Sequence, residues 1–163
     1  EIPAGENQKW EVSKTGNSIY WEKKDSSLRI VEYLPYPGNY GMIPQTFEDT
    51  ELNGDGDPLD IIVLGPAEKR GDILSVRVIG ALLLSDCGET DDKIIGISSQ
   101  CPCQINNIHE LKKKYPGMID IIKIWFENYK GKGKIKILNI AEKEKAMEII
   151  QKNHISYLKK RRL

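Results

Sequence analysis

Short stretches rich in β-branched and aromatic residues, separated by turn residues, occupy the first two-thirds of this 163-residue chain. Residues of these types favour half-buried strands. The predicted strands are Ile19–Trp21, Arg29–Leu34, Leu59–Leu64, Ile73–Val78, Ala81–Leu84 and Lys93–Ile97. The turns between them are predicted at Gly16-Asn17, Pro37-Gly38-Asn39, Asn53-Gly54 and Gly71-Asp72. Many short strands with one-sided alternation indicate a small closed barrel.

Helical signals begin later in the chain. Asn107 followed by Glu110 resembles a capping box and predicts a helix over Ile108–Tyr115. A second helix is predicted because apolar and aromatic residues then recur at helical spacing, with Gly131 as a stop signal. These residues are Met118, Ile121, Ile122, Trp125 and Tyr129. The sequence therefore predicts a mainly β protein with flanking helices.

The final segment predicts a last strand over Lys134–Asn139 and an amphipathic closing helix over Ala141–Lys160. The residues predicted to face inward from this helix are Met147, Ile150 and Leu158. Its basic end, Lys159-Lys160-Arg161-Arg162, is expected to be solvated and stabilised by the helix dipole, with an interaction tail as the alternative. Since no repeat, linker or boundary is visible, residues 1–163 are predicted to form a single domain.

The sharpest chemical signal is the segment Asp55-Gly56-Asp57-Pro58-Leu59-Asp60, which precedes the apolar run Ile61–Leu64. Carboxylates this close together repel one another unless a cation neutralises them. Carboxylate oxygens select magnesium, calcium or manganese rather than zinc. A zinc site is not expected, because His109 and His154 are the only two histidines and lie far apart.

Two alternatives explain the same segment. It resembles an acidic surface turn, since Asp-Gly pairs are common in turns. It also partly matches an EF-hand calcium loop that begins at Asp49 and places Gly54 and Asp60 at its sixth and twelfth positions. We disfavour the EF-hand, because Gly56 replaces an apolar residue and Pro58 obstructs an exiting helix.

A second acidic segment, Asp86-Cys87-Gly88-Glu89-Thr90-Asp91-Asp92-Lys93, precedes the last of the central predicted strands. Asp91 and Lys93 are two residues apart, so an extended chain directs both to one side. This pair suits a metal-bound phosphate, because the carboxylate can bind the cation while the ammonium binds the anion. A polar hairpin loop is the simpler interpretation of this segment alone.

Cationic and phenolic residues form a third set, whose members are Lys9, Arg29, Tyr36, Tyr40, Tyr129 and Lys130, with Glu11 beside Lys9. Exposed lysine and arginine are usually solvated, and tyrosines usually pack, so each residue alone is a weak signal. Together they provide the donors that a multiply charged phosphate anhydride needs. The sequence contains no GxxxxGK[ST], GxSxG, HExxH or GxGxxG motif.

Composition excludes several classes of function. Lysine plus arginine equals aspartate plus glutamate, at 24 each, which disfavours nucleic acid as a partner. No apolar run is long enough for a membrane span, and no signal peptide is visible, so a cytoplasmic location is predicted. Three cysteines, Cys87, Cys101 and Cys103, fit a reducing compartment. Cys101 and Cys103 are expected to be ordinary thiols, and a redox or adventitious metal role is the alternative.

These motifs, taken in order, resemble the family of soluble, magnesium-dependent (family I) inorganic pyrophosphatases. The resemblance covers about residues 1–140, and the segment from Asp55 to Asp60 matches the family's DxDPxD signature. The other matching segments are Glu1-Ile2-Pro3-Ala4, Lys9-Trp10-Glu11, Tyr36–Gly41, Asp86–Lys93 and Phe126–Lys130. The resemblance implies a five-stranded OB-like β-barrel that hydrolyses pyrophosphate to two phosphates.

The resemblance also implies roles for individual residues. Asp55, Asp60 and Asp91 are expected to hold two Mg²⁺ ions, with Mn²⁺ as a possible substitute. Asp86 with Asp91, and Glu1 from further off, are expected to serve the additional ions that arrive with substrate. Asp57 is expected to be the general base. The expected phosphate-binding residues are Lys9, Arg29, Tyr40, Lys93, Tyr129 and Lys130, of which Arg29, Tyr129 and Lys130 also assist catalysis, while Glu11 and Tyr36 support the site. A homo-oligomer is expected, with a hexamer favoured over a dimer.

Overall fold

The computed structural model describes residues 1–13, 16 and 18–161. Its strands are β1 (Trp10–Val12), β2 (Ile19–Trp21), β3 (Lys23–Lys24), β4 (Ser27–Leu28), β5 (Asn39–Met42), β6 (Asp60–Leu64), β7 (Val76–Asp86), β8 (Glu89–Thr90), β9 (Lys93–Ser98) and β10 (Ile135–Glu142). Its α-helices are α1 (Ile108–Lys114), α2 (Met118–Asn128) and α3 (Lys143–Lys160), and a 3₁₀ turn spans Thr50–Leu52.

Five strands form the central sheet, in the order β10-β7-β9-β6-β5, and β8 pairs with β7 at one end. Neighbouring strands are antiparallel except β6 and β9, which run parallel and pair Asp60 with Lys93. Strands in a parallel pair are covered on both faces, which explains why β6 and β9 are almost continuously apolar. This pairing places two charged residues side by side where both strands begin.

The side chains of alternate residues of β6 are buried on opposite faces of the sheet. Ile62 and Leu64 belong to the larger core, which contains the apolar faces of α1 and α2. Ile61 and Val63 belong to a smaller core that contains Ala146 of α3. The helices therefore flank the sheet on both sides, and the predicted mainly β architecture with flanking helices is confirmed.

Two of the predicted strands merge into one. The end of the segment predicted as Ile73–Val78, from Val76 onward, and the whole of Ala81–Leu84 are parts of β7, which runs on past Gly80 through a bulge in its pairing with β9. The predicted strand therefore starts three residues too early. Gly80 lies within the strand rather than at its end. Because Gly80 has no side chain, Ile108 of α1 and the backbone of Ala141 in β10 can approach it closely. A Cβ atom on Gly80 would lie 2.4 Å from Ile108 Cγ1 and 2.5 Å from the carbonyl oxygen of Ala141.

Gly80→Ala is therefore expected to destabilise the protein by about 1–3 kcal/mol, because backbone and a buried isoleucine must shift to admit one methyl group. Chemical denaturation measures the change. Gly41→Ala is the matched control in β5, where the nearest atom to the added Cβ would be Glu1 N at an ordinary 3.4 Å. Equal denaturation midpoints for Gly80→Ala and the control would show that α1 does not pack on β7 as described.

Two predicted features of the fold are wrong. The segment predicted as a strand over Arg29–Leu34 forms only an isolated bridge between Ile30 and Gln8, because its backbone bonds to irregular neighbouring segments. Met147 and Leu158 of α3 do not face inward but are exposed. The buried face of α3 carries the small or polar residues Ala146, Asn153 and Ser156.

The cysteine expectation is also wrong in part. Cys101 and Cys103 are joined by a disulfide, whereas Cys87 is a free, exposed thiol. Two other expectations, the turn residue Asn17 and the basic residue Arg162, lie outside the described residues. Among the helices that are described, none combines the length and the apolar character that a membrane span requires.

Candidate active site

One cleft of about 1250 Å³ collects residues from the N-terminus, the central strands and the end of α2. Thirteen of the fourteen predicted site residues line it: Glu1, Lys9, Glu11, Arg29, Tyr40, Asp55, Asp57, Asp60, Asp86, Asp91, Lys93, Tyr129 and Lys130. The remaining residue, Tyr36, is buried beneath the cleft. Its ring centroid lies 5.0 Å from that of Tyr40 and 4.4 Å from that of Trp125, so it supports the wall.

The base of the cleft is an ion cluster built on the parallel pair of β6 and β9. The Lys93 ammonium, only 1% exposed, donates to Asp60 Oδ2 at 2.6 Å and also to Asp91 Oδ1. The Tyr40 hydroxyl donates to the same Asp60 oxygen. Strand pairing sets this arrangement, because Asp60 lies opposite Lys93 while Tyr40 comes from the next strand, β5.

The pKa values of these groups follow from burial and from the charges around them. Burial would raise the pKa of Asp60, but the Lys93 ammonium, Lys9 and the Tyr40 hydroxyl outweigh it and lower that pKa. Burial raises the pKa of Asp91 despite the contact with Lys93. Burial would lower the pKa of Lys93, but Asp60 and Asp91 reverse its effect and raise that pKa. Lys93 is therefore firmly held as a cation.

An acidic group stands beside this ion cluster. Oxygen atoms of Glu48, Asp55 and Asp91 lie within 4.8 Å of one another, close enough to surround one cation. The loop that carries Asp55 is fixed locally, because Asp55 Oδ1 accepts the backbone N–H of Asp57 at 2.8 Å. Asp60 approaches the group through Lys93, which contacts both Asp60 and Asp91. Asp55 and Asp91, two of the acids predicted to bind metal, therefore meet at one place although they are distant in sequence, and Asp60 lies next to them across Lys93.

Glu48 is the member of this group that the sequence analysis missed. Burial raises its pKa to about 9, and the nearby carboxylates of Asp55, Asp60 and Asp91 act in the same direction against the opposing charge of Lys93. Glu48 has no distinguishing sequence signal, because Asp49 and Glu51 are acidic neighbours within the same short segment. Only the tertiary fold shows that Glu48 is buried while Glu51 is exposed.

The rim on the α2 side carries Tyr129 and Lys130. The Tyr129 ring stacks on Trp125 with centroids 4.5 Å apart, and the Trp125 indole N–H donates to the carbonyl oxygen of Leu34 at 2.9 Å. The Lys130 ammonium forms an ion pair with Asp86, which lies at the end of β7. Lys130 thus lies beside an acid that is predicted to serve additional metal ions.

The opposite rim comes from the N-terminal segment. Glu1 Oε1 accepts the backbone N–H of Val12 at 2.8 Å, and Lys9 forms an ion pair with Glu11 at 3.4 Å. Arg29 lines the cleft, but its guanidinium donates two hydrogen bonds to the Glu22 carboxylate, at 2.7 and 2.9 Å. Arg29 is therefore already paired, which the sequence did not predict.

Carboxylates at the base of the cleft, with lysine and tyrosine donors around them, fit a group of divalent cations that carries a phosphate compound. The donors are oxygen atoms, which suits magnesium or manganese rather than zinc. The fold and the cleft thus define a mainly β protein with a site suited to metal-bound phosphate.

The chain belongs to the inorganic pyrophosphatase family, whose family model matches residues 1–158. It is 37% identical over 176 residues to the inorganic pyrophosphatase of Homo sapiens, a match that covers 94% of this chain and 61% of that protein. It is 40% identical over 146 residues to the inorganic pyrophosphatase of Drosophila melanogaster, covering 80% of this chain and 43% of that protein. The chain thus spans less than two-thirds of the length of each of these relatives.

Solved structures agree with the family assignment. An N-terminally truncated vacuolar soluble pyrophosphatase of Trypanosoma cruzi, in complex with PPi, matches with a TM-score of 0.95 and 32% identity over 100% of this chain and 68% of that one. The type I inorganic pyrophosphatase of Toxoplasma gondii matches with a TM-score of 0.91 and 30% identity over 98% of this chain and 77% of that one. The predicted OB-like fold class is therefore confirmed.

Proposed function

We propose that residues 1–163 form one catalytic domain that hydrolyses inorganic pyrophosphate to two phosphates in a Mg²⁺-dependent reaction. The observation that carries this proposal is the meeting of Asp55 and Asp91 with the buried Lys93 in one cleft of a chain that belongs to the pyrophosphatase family. Water attacks one phosphorus directly and in line, and no phosphoenzyme forms.

The cleft residues fit magnesium because the described lining contains several carboxylates and neither histidine nor cysteine. Asp55, Asp60 and Asp91 hold the ions at the base of the cleft. Asp86 and Glu1, at the rims, serve the ions that arrive with the substrate. When bound, magnesium neutralises phosphate charge and makes a water molecule more acidic, so that it attacks at neutral pH.

Asp57 accepts the proton of the attacking water, as a general base. Its position supports this role, because Asp57 lines the cleft and its backbone N–H is held by the metal-binding candidate Asp55. A carboxylate at the mouth of the cleft can also release the accepted proton to bulk solvent. No covalent intermediate on a side chain is needed.

The cationic and phenolic side chains stabilise charge that develops on the phosphates. Lys9, Tyr40, Lys93, Tyr129 and Lys130 face the cleft from several sides, so that both phosphates can receive donors. Lys130 and Arg29 must exchange their carboxylate partners, Asp86 and Glu22, for phosphate. Glu11 and Tyr36 hold Lys9 and the tyrosine wall in position.

Phosphate release from magnesium pyrophosphate tests the proposal. We expect two phosphates per pyrophosphate with Mg²⁺, loss of activity with a chelator, and inhibition by fluoride or calcium. Tripolyphosphate and nucleotides serve as alternative substrates. Faster hydrolysis of a nucleotide than of pyrophosphate would indicate a different metal-dependent phosphohydrolase, and metal binding without any hydrolysis would indicate a binding module.

A homo-oligomer, hexameric or dimeric, and a cytoplasmic location remain predictions of the sequence. Sedimentation velocity distinguishes the two assemblies. A monomer at micromolar concentration would contradict the predicted oligomer.

A further inference from the structure

Arg70 lies in the loop between β6 and β7 and lines the cleft, but the proposed reaction assigns it no role. Its Nε–H donates to the backbone carbonyl oxygen of Glu1 at 3.1 Å, and its guanidinium forms an ion pair with the Glu6 carboxylate. The guanidinium carbon lies 4.3 Å from the centroid of the Trp10 ring. One side chain from the central part of the fold therefore contacts the N-terminal segment at three points.

These three contacts need the shape of arginine. A planar guanidinium donates hydrogen bonds from its edge while its face stacks on an aromatic ring. A lysine ammonium carries the same charge but lacks this geometry. The ion pair with Glu6 adds little to stability, because the side chains of Arg70 and Glu6 are 24% and 40% exposed. The contacts of Arg70 therefore fix a geometry more than they stabilise the fold.

Trp10 connects Arg70 to the backbone of Lys9. The rings of Trp10 and Trp21 stack with their centroids 5.6 Å apart, at paired positions of β1 and β2. The Trp21 indole N–H donates to the carbonyl oxygen of Arg29 at 2.8 Å, and the Lys9 N–H donates to the same oxygen at 3.0 Å. Lys9 is therefore held between its neighbour Trp10 and an oxygen that Trp21 also binds.

The strands that carry this tryptophan pair have little support of their own. β1 and β2 form a separate two-stranded sheet, and within the described part of the chain neither pairs with a strand of the central sheet. An isolated pair of short strands is only marginally stable in water. The Val12 N–H, at the end of β1, donates to the Glu1 carboxylate, and Arg70 binds the backbone of the same glutamate. Arg70 thus fastens both Trp10 and the partner of Val12 to the loop between two central strands.

We propose that Arg70 is a positioning residue for pyrophosphate binding, because it orients Lys9 through Trp10. The Lys9 ammonium lies 5.4 Å from the centroid of the Tyr40 ring, and both residues line the cleft. Arg70 is already engaged through its Nε–H, its ion pair and its face, so it acts through Lys9 rather than by contact with phosphate. The inference rests on the proposed function, in which Lys9 binds phosphate.

Steady-state phosphate release at varied magnesium pyrophosphate and a fixed excess of Mg²⁺ tests the inference. Arg70→Met removes the hydrogen bonds and the charge. We expect it to raise KM about 5–20-fold while kcat stays within about twofold of the wild type, because a binding group is displaced and the reacting groups are not. Arg70→Lys keeps the charge without the planar fork, and we expect its KM to rise about as much.

Lys69→Met is the matched control, since it removes the same charge from the adjacent, exposed residue that lines the same cleft. We expect its KM within about twofold of the wild type. A Lys9→Met background tests the route of the effect. Because residues of one network are not additive, we expect Arg70→Met to change the KM of Lys9→Met by less than about twofold.

Three results would overturn the inference. They are a KM of Arg70→Met within twofold of the wild type, a wild-type KM in Arg70→Lys, which would indicate only a long-range charge effect, and full multiplication of the two effects in the double variant. If Arg70→Met does not fold, Arg70→Lys, alone and combined with Lys9→Met, decides in the same way. A wild type that does not hydrolyse pyrophosphate would contradict the proposed function and this inference together, whereas the three results above contradict the inference alone.

Discussion

Lys93→Met is expected to lower the free energy of unfolding of the metal-free protein by about 3–5 kcal/mol, because the change leaves the buried Asp91 and the partly buried Asp60 carboxylates without their cation. Lys93 is 1% exposed and lies between Asp60 and Asp91, with its ammonium 2.6 Å from Asp60 Oδ2. Methionine has a similar length but no charge. The loss therefore reports uncompensated charge rather than a cavity.

Urea denaturation in the presence of a chelator measures this effect. Lys136→Met is the matched control, since Lys136 is an exposed lysine on β10, and we expect it to change stability by less than about 0.5 kcal/mol. Adding Mg²⁺ is expected to stabilise Lys93→Met more than the wild type, because the ion replaces part of the missing positive charge. A metal-free Lys93→Met protein as stable as the wild type would show that this ion cluster is not formed.

Asp57→Asn is expected to reduce kcat for pyrophosphate by about 10²–10⁴-fold, the usual contribution of a general base. Asparagine keeps the shape of the side chain but cannot accept the proton from water. Mg²⁺ affinity is expected to stay close to that of the wild type, because Asp57 is not assigned as a ligand. Steady-state phosphate release and Mg²⁺ titration of the same preparation measure the two quantities separately.

Asp72→Asn is the control for this prediction. Asp72 is an exposed aspartate that lines the same cleft but has no assigned role, so its loss changes the cleft charge equally. We expect kcat of Asp72→Asn within about twofold of the wild type, as for a surface substitution. A kcat of Asp57→Asn within threefold of the wild type would remove Asp57 from the role of general base.

The sequence predicts those parts of the fold that local chemistry determines. The Asn107 capping signal places the start of α1 correctly, since the Asn107 side chain accepts the backbone N–H of Glu110 at 2.8 Å. The apolar run after Asp60 places β6 correctly. The strand predicted over Arg29–Leu34 is wrong, because strand formation depends on a pairing partner that local propensity does not reveal.

The sequence does not predict which acidic side chains are buried or which charged residues pair with one another. In the sequence, Glu48, Asp49 and Glu51 are three acidic residues that nothing distinguishes. Their segment packs between the Asp57 loop and α3, and this packing places only Glu48 of the three beside Asp55 and Asp91. The Arg29–Glu22 pair depends in the same way on the approach of two separate segments. The order of the motifs predicts the site residues and their chemistry, but it does not show which charges are already paired.

The proposed function depends on acids that are distant in sequence binding divalent cations at one place in the cleft. Anomalous diffraction from crystals of the 163-residue chain soaked in Mn²⁺ measures the ion positions directly. We expect an anomalous peak about 2.0–2.6 Å from carboxylate oxygens of Asp55 and Asp91. Peaks only at other surface carboxylates, with none between Asp55 and Asp91 at saturating Mn²⁺, would contradict it.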